Sequence, residues 1–128
     1  MDNDQARDYL LSKHKTFESF PFGPEVAVYK VVDKMFATLA IGHVSDQIPG
    51  ADKFYWMNLK CEPNEAMILR DIFPSIYPGY HMSKVHWNTI VLDGSIPQGE
   101  IERMIDNSFM LVVSKMTKKA QQSILEHL

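Results

Sequence analysis

Val26-Ala27-Val28-Tyr29-Lys30-Val31-Val32-Asp33-Lys34-Met35-Phe36-Ala37-Thr38-Leu39-Ala40-Ile41 is the stretch on which the fold turns. β-Branched and aromatic residues crowd both halves, and such residues suit a pleated, half-buried surface. Asp33-Lys34 is a two-residue polar break between them, the spacing of a tight hairpin, although the glycine such turns favour is missing. A strand is therefore expected from Glu25 to Val32 and a second from Met35 to Ile41.

Upstream, Asp2 to His14 can start on an Asx cap and places Ala6, Tyr9 and Leu10 on one helical face. Phe17 to Gly23 has aromatics, Pro21 and Gly23 but no helical period. Downstream, Gly42 to Lys53 carries Asp46, Pro49, Gly50 and Asp52 without apolar periodicity, which predicts a long mobile connection to a third strand, Phe54 to Lys60. Pro63 opens a helix in which Ala66, Leu69, Ile72 and Phe73 recur until Pro74 stops it. Two more strands fit around a Met82–Lys84 turn, the second running from Val85 to Leu92. Pro97 then opens a helical pattern of Ile101, Met104, Ile105, Ser108 and Val112, and Thr117 caps a last segment through Leu125.

The order is α-β(3)-α-β(2)-α. It predicts an α+β two-layer sandwich, an antiparallel sheet with helices on one face. With 128 residues, 45% of them hydrophobic, one domain over residues 1–128 can close a core without metals or disulfides. The formal net charge is −3, so no global positive field draws the chain onto phosphates, and any nucleic-acid site has to be a local patch. One cysteine, Cys61, and no apolar secretory segment point to a reducing compartment, the cytoplasm. No apolar run reaches the roughly 18–20 residues a bilayer requires.

Catalytic signatures are absent: there is no GxSxG, P-loop or GxGxxG, and Cys61 has no CxxC partner. No metal and no cofactor are expected, and no enzymatic activity. The most chemical cluster is His81, Lys84, His86, Trp87 and Asn88, which a short turn projects at one rim of the sheet. Lysine and protonated histidine neutralise phosphates, asparagine pairs with a phosphate or an adenine edge, and tryptophan stacks or wedges. The same residues have ordinary structural uses, with Trp87 in the core and Asn88 satisfying backbone. Alternation puts Phe54, Trp56, Asn58 and Lys60 on one face of their strand and Val85, Trp87, Thr89 and Val91 on one face of theirs. If helices cover one side only, tryptophans lie on the open side as a platform or dimer surface; a covering helix is the other outcome.

Several of these segments, in this order, match one family pattern. They are Glu18-Ser19-Phe20-Pro21-Phe22-Gly23-Pro24, Lys34-Met35-Phe36-Ala37, Asn58-Leu59-Lys60-Cys61, Pro78-Gly79-Tyr80-His81, Lys84, His86-Trp87-Asn88-Thr89 and Leu92-Asp93-Gly94-Ser95-Ile96-Pro97. Nearly the whole chain thus resembles the MmcQ/YjbR family. The resemblance implies a compact fold similar to type III secretion chaperones and a double-wing DNA-binding motif, with hairpins beside the sheet contacting the duplex. DNA is then the expected partner, with Lys34, Lys60, His81, Lys84, His86, Trp87 and Asn88 as contact residues. A protein-interaction or chaperone-like module, homodimeric in one form, is the alternative. Two departures stand out: Val85 occupies a place where members often carry a basic residue, and the Gly42–Lys53 loop is longer than usual.

Overall fold

Asp2 accepts a hydrogen bond from the Gln5 amide at 2.9 Å while the Gln5 side chain accepts one from the Asp2 amide, a capping box that starts helix α1 (Asn3–Ser12). The computed structural model describes residues 1–126. The remaining elements are β1 (Thr16–Ser19), β2 (Val26–Val31), β3 (Lys34–Ile41), β4 (Tyr55–Lys60), α2 (Pro63–Ile72), β5 (Ile76–Pro78), β6 (Trp87–Val91), α3 (Gln98–Val113) and α4 (Lys118–Leu125). Helix ends follow their local chemistry. Glu62 accepts from the Asn64 and Glu65 amides to open α2, Pro97 precedes α3, and Thr117 accepts from the Ala120 amide to open α4.

The strands form one antiparallel sheet in the order β1-β2-β3-β4-β6-β5. Alternate residues Ala27, Tyr29 and Val31 of β2, Met57 and Leu59 of β4, and Ile90 of β6 meet Leu10 of α1, Leu69 of α2, Phe109 of α3 and Ile124 of α4 in a single core. All four helices therefore lie on one face, as the two-layer α+β reading requires. None of the helices among the described residues is long and apolar enough to cross a membrane.

The element order gains an edge strand, β1, and the segment that Thr117 opens stands as a helix of its own, α4. β1 is only four residues long and is held in place by side chains. Glu18 accepts from Arg7 Nε at 2.8 Å and from the Tyr29 hydroxyl at 2.7 Å, fastening β1 to α1 and β2 together. Arg7 holds the Glu18 carboxyl below its ordinary value, working with Tyr29 against partial burial. A carboxylate depressed on folding contributes stability above its unfolded pKa and loses it as pH falls through the folded one. Stability is expected to decline below about pH 4.5, more steeply in the native chain than in Glu18→Gln. Urea midpoints measured across pH check this, and parallel acid limbs would remove the ion pair from the account.

The hairpin turn is Val32-Asp33 and not Asp33-Lys34, because Lys34 already pairs with Val31. Both turn residues have positive φ, 46° and 63°, as a type I′ turn demands, and the β-branched Val32 is an uncommon occupant. Val32→Asn is expected to raise stability by about 1 kcal/mol, seen as a higher melting temperature. A lower melting temperature would show that the half-exposed valine side chain compensates its own strain.

A bulge follows at once. Lys30 pairs with Met35 and Tyr29 with Ala37, so Phe36 is left over and both Phe36 and Ala37 enter the helix-side core. Phe36 meets Phe109 edge to face at 5.4 Å. Its carbonyl accepts from the buried Ser108 hydroxyl at 2.6 Å, and Ser108 Oγ in turn accepts from the Lys60 amide at 2.9 Å. Ser108 thereby joins the bulge of β3 to the end of β4.

Candidate functional site

Strand register builds the floor of the uncovered face. Thr38, Asn58 and Thr89 lie side by side across β3, β4 and β6, flanked by Ala40, Trp56 and Val91 and, toward the other end, by Lys60 opposite Trp87. Two loops then fold over this floor.

The first is the segment from 42 to 53, which is packed down instead of hanging free. Gly42 donates its amide to the Phe54 carbonyl at 2.7 Å and sits so close to Trp56 that a Cβ there would lie 2.4 Å from the indole nitrogen. The Trp56 indole donates to the Ala51 carbonyl at 2.9 Å, and Ile48 and Ala51 bury Trp56 and Val91 in a second small core. Apolar anchors spaced irregularly in a loop leave no periodic signal, which is why this packing escapes a periodicity argument.

The second loop is 79–86. Gly79 donates to the Trp87 carbonyl at 2.9 Å, and its missing Cβ makes room for Trp87. Tyr80 donates its amide to Thr89 Oγ1 at 2.8 Å, and Arg70 of α2 reaches the Lys84 carbonyl at 3.2 Å and Asn88 Oδ1 at 3.0 Å. Lys84 Nζ donates to Gly79 O at 3.0 Å and Gln47 Oε1 at 3.2 Å, joining the two loops.

Between them the loops gather rings. His43 lies 4.8 Å from Trp56 and 5.1 Å from Tyr80, His43 Nε2 and the Tyr80 hydroxyl are 2.8 Å apart, and His81 stacks on Tyr80 at 4.1 Å and 19°. His81 holds a left-handed φ of 55°. Beside this cluster opens a groove of about 550 Å³, walled by Phe22, Met35, Ile41, Tyr80, His81 and Met82 over the Thr38, Ala40, Trp56 and Asn58 floor. Its size is that of a small-molecule site.

The seven residues named from sequence separate into two sets. Lys34, His81, Lys84 and His86 are exposed. Lys60 ends β4, and desolvation, with Lys115 adding to it, lowers its pKa from the ordinary lysine value. Register places Lys34, Lys60 and His86 toward one end of the sheet. Trp87 is only 9% exposed. Asn88 faces the helices, buried, with its amide donating to the Ala66 carbonyl at 3.3 Å and its oxygen accepting from Arg70. Asn88 thus ties β6 to α2 and has nothing to offer a surface ligand. Trp87 and Asn88 are neighbours in sequence and lie on opposite faces of the sheet. His43, Tyr80, Thr38 and Arg70 were missed; only Thr38 carried a usable signal, the two-residue alternation of β3.

Asp93-Gly94-Ser95 is structural. The Asp93 carboxylate accepts from the Ser95 amide, the Ser95 hydroxyl and the Ser75 hydroxyl. Cys61 is half-buried, and burial pushes its thiol up to about 11, so it carries no thiolate at neutral pH. Among the described residues no three of His, Cys, Asp and Glu gather closely enough to hold a metal ion.

A family model described as YjbR matches residues 11–111, most of the chain. The chain belongs to the YjbR family. YbdF of Escherichia coli O157:H7 is 33% identical over 105 residues, covering 82% of this YjbR-family chain and 79% of YbdF. YyaQ of Bacillus subtilis strain 168 is 49% identical over a shorter stretch of 55 residues, 43% of this chain and 46% of YyaQ. Among solved structures, Deinococcus radiodurans protein DR2400, with a domain described as DUF419, superposes with a TM-score of 0.79 at 32% identity over 96% of this chain and 87% of its own. A Pseudomonas syringae crystal structure gives 0.77 at 35% identity over 87% and 98%. The fold of this YjbR-family chain is thus shared with these two solved structures.

Proposed function

We propose that this chain is a DNA-binding domain that acts without catalysis, using the 79–86 loop as a wing. The observation that carries the reading is the way that loop is fastened. Arg70, Thr89 and the Gly79–Trp87 bond fix its backbone while His81, Lys84 and His86 stay exposed along it. A fixed loop presents its cations without an ordering cost at the moment of binding. Lys34 and Lys60, toward the end of the sheet from which His86 leads into β6, extend the basic rim, a local patch on an acidic chain. Trp87 and Asn88 serve the wing from beneath by anchoring its root.

Fluorescence anisotropy on duplex DNA from low to moderate salt tests this, because each phosphate neutralised steepens the fall of affinity with salt. No binding at low salt would sink the proposal. Lys84→Ala is expected to weaken binding on every sequence and flatten the logarithmic salt slope by about one unit. An unchanged slope would confine Lys84 to its bonds with Gln47 and Gly79.

A second reading has one observation of its own. Ile68 and Ile72 share the outer face of α2 with Met67 beside them, and all three are more than half exposed. Contiguous apolar surface on a helix suits a protein partner or a second copy of this chain. Sedimentation equilibrium distinguishes the two, since a strict monomer across a wide concentration range rules out self-association through this face.

A further inference from the structure

We infer that the groove on the uncovered face of the sheet is a binding site for one planar, hydrogen-bonding heteroaromatic ring of the nucleobase class. The choice of ring class rests on the nucleic-acid reading above, but the site itself is built largely from other residues. Its floor holds two polar groups left open. Thr38 is 8% exposed, and its hydroxyl has no hydrogen-bond partner among the described residues. Directly opposite, the Asn58 oxygen is occupied by the Thr89 hydroxyl, so the Asn58 amide nitrogen is left to donate. A donor beside a hydroxyl that gives or takes matches the pairing edge of a base, which alternates donors and acceptors. Both groups line the groove, so the open side of each is presented to whatever enters it.

The walls suit the faces of a ring. Tyr80 and His81 already lie flat on one another, with His43 and Trp56 close behind. Met35 and Met82 add polarizable, adaptable surface that fits rings of differing outline. His81 keeps its left-handed backbone at the mouth, a conformation that collects at ligand sites. Glu25 also lines the groove, and a carboxylate there disfavours a phosphate relative to an uncharged ring.

The ring can come free, as a nucleoside, or attached to a strand. Titrating the full chain with the four deoxynucleosides, and separately with a short single-stranded oligonucleotide, distinguishes these by amide chemical shifts. Saturable shifts at Thr38, Asn58, Tyr80 and His81 are expected. Their appearance with free nucleosides supports the site and assigns it to the free compound; their appearance with the oligonucleotide alone supports it and assigns it to a strand. Absence with both overturns the site, even where duplex DNA binds at the rim, and nucleoside binding without duplex affinity overturns the rim and leaves the groove standing. Thr38→Val keeps the strand and removes the hydroxyl, and is expected to weaken the groove ligand about threefold to tenfold at an unchanged melting temperature. Unchanged affinity would overturn the reading edge assigned to the floor.

Discussion

Trp87→Ala is expected to cost roughly 3–5 kcal/mol of folding stability, the scale of a large aromatic removed from a packed site. The indole is 9% exposed, and the Gly79 backbone presses so closely on its root that no Cβ fits there. Neither neighbour can collapse far into the space, since Gly79 and Tyr80 are both bonded to β6. Chemical denaturation of the variant measures the loss. Binding by the folded fraction, titrated beside it, shows whether the wing keeps its aim. A loss below about 1 kcal/mol together with abolished binding would put the indole at the surface as a contact residue, against its burial.

Ser108→Ala removes one oxygen and strands two backbone groups. Phe36 O loses its donor at a buried position and Lys60 N, partly buried, loses its acceptor. A buried group left unpaired costs about 1–3 kcal/mol, so the loss at Phe36 O, with a smaller one at Lys60 N, outweighs the single hydrogen bond that a surface serine contributes. Ser108→Cys keeps a weak donor of similar shape and is expected to recover part of the loss. Equal stability of native and alanine forms in urea would mean that water reaches the bulge.

The hairpin and the helix boundaries were readable because each rests on local chemistry. β-Branched runs mark β2 and β3, Pro63 and Pro74 bracket α2, and Pro97 and Thr117 open α3 and α4. The turn lies one residue earlier than polarity places it, because backbone handedness decides its position and Val32 conceals that requirement. β1 was invisible for the opposite reason: its cause is Arg7 and Tyr29, both more than ten residues from Glu18. At the site, alternation groups Trp56 with Asn58 and Trp87 with Thr89, each on one face of its own strand, and the β4–β6 register brings the two groups together. The same alternation separates Asn88 from Trp87, a distinction lost when the stretch was treated as one cluster. His43 and Tyr80 come from loops, where nothing in the spacing announces that they will meet.

The Glu18 clamp also governs solubility. Once protonation weakens its hold, β1 can peel from the sheet, and Val26–Val31 becomes the outermost strand. That hexapeptide, VAVYKV, has one charge and no proline or glycine, the composition of segments that stack between molecules. In the native sheet the four residues of β1 cover it. β1 therefore works as a gatekeeper, and acid below about pH 4.5 is the condition under which this chain is most open to intermolecular strand pairing.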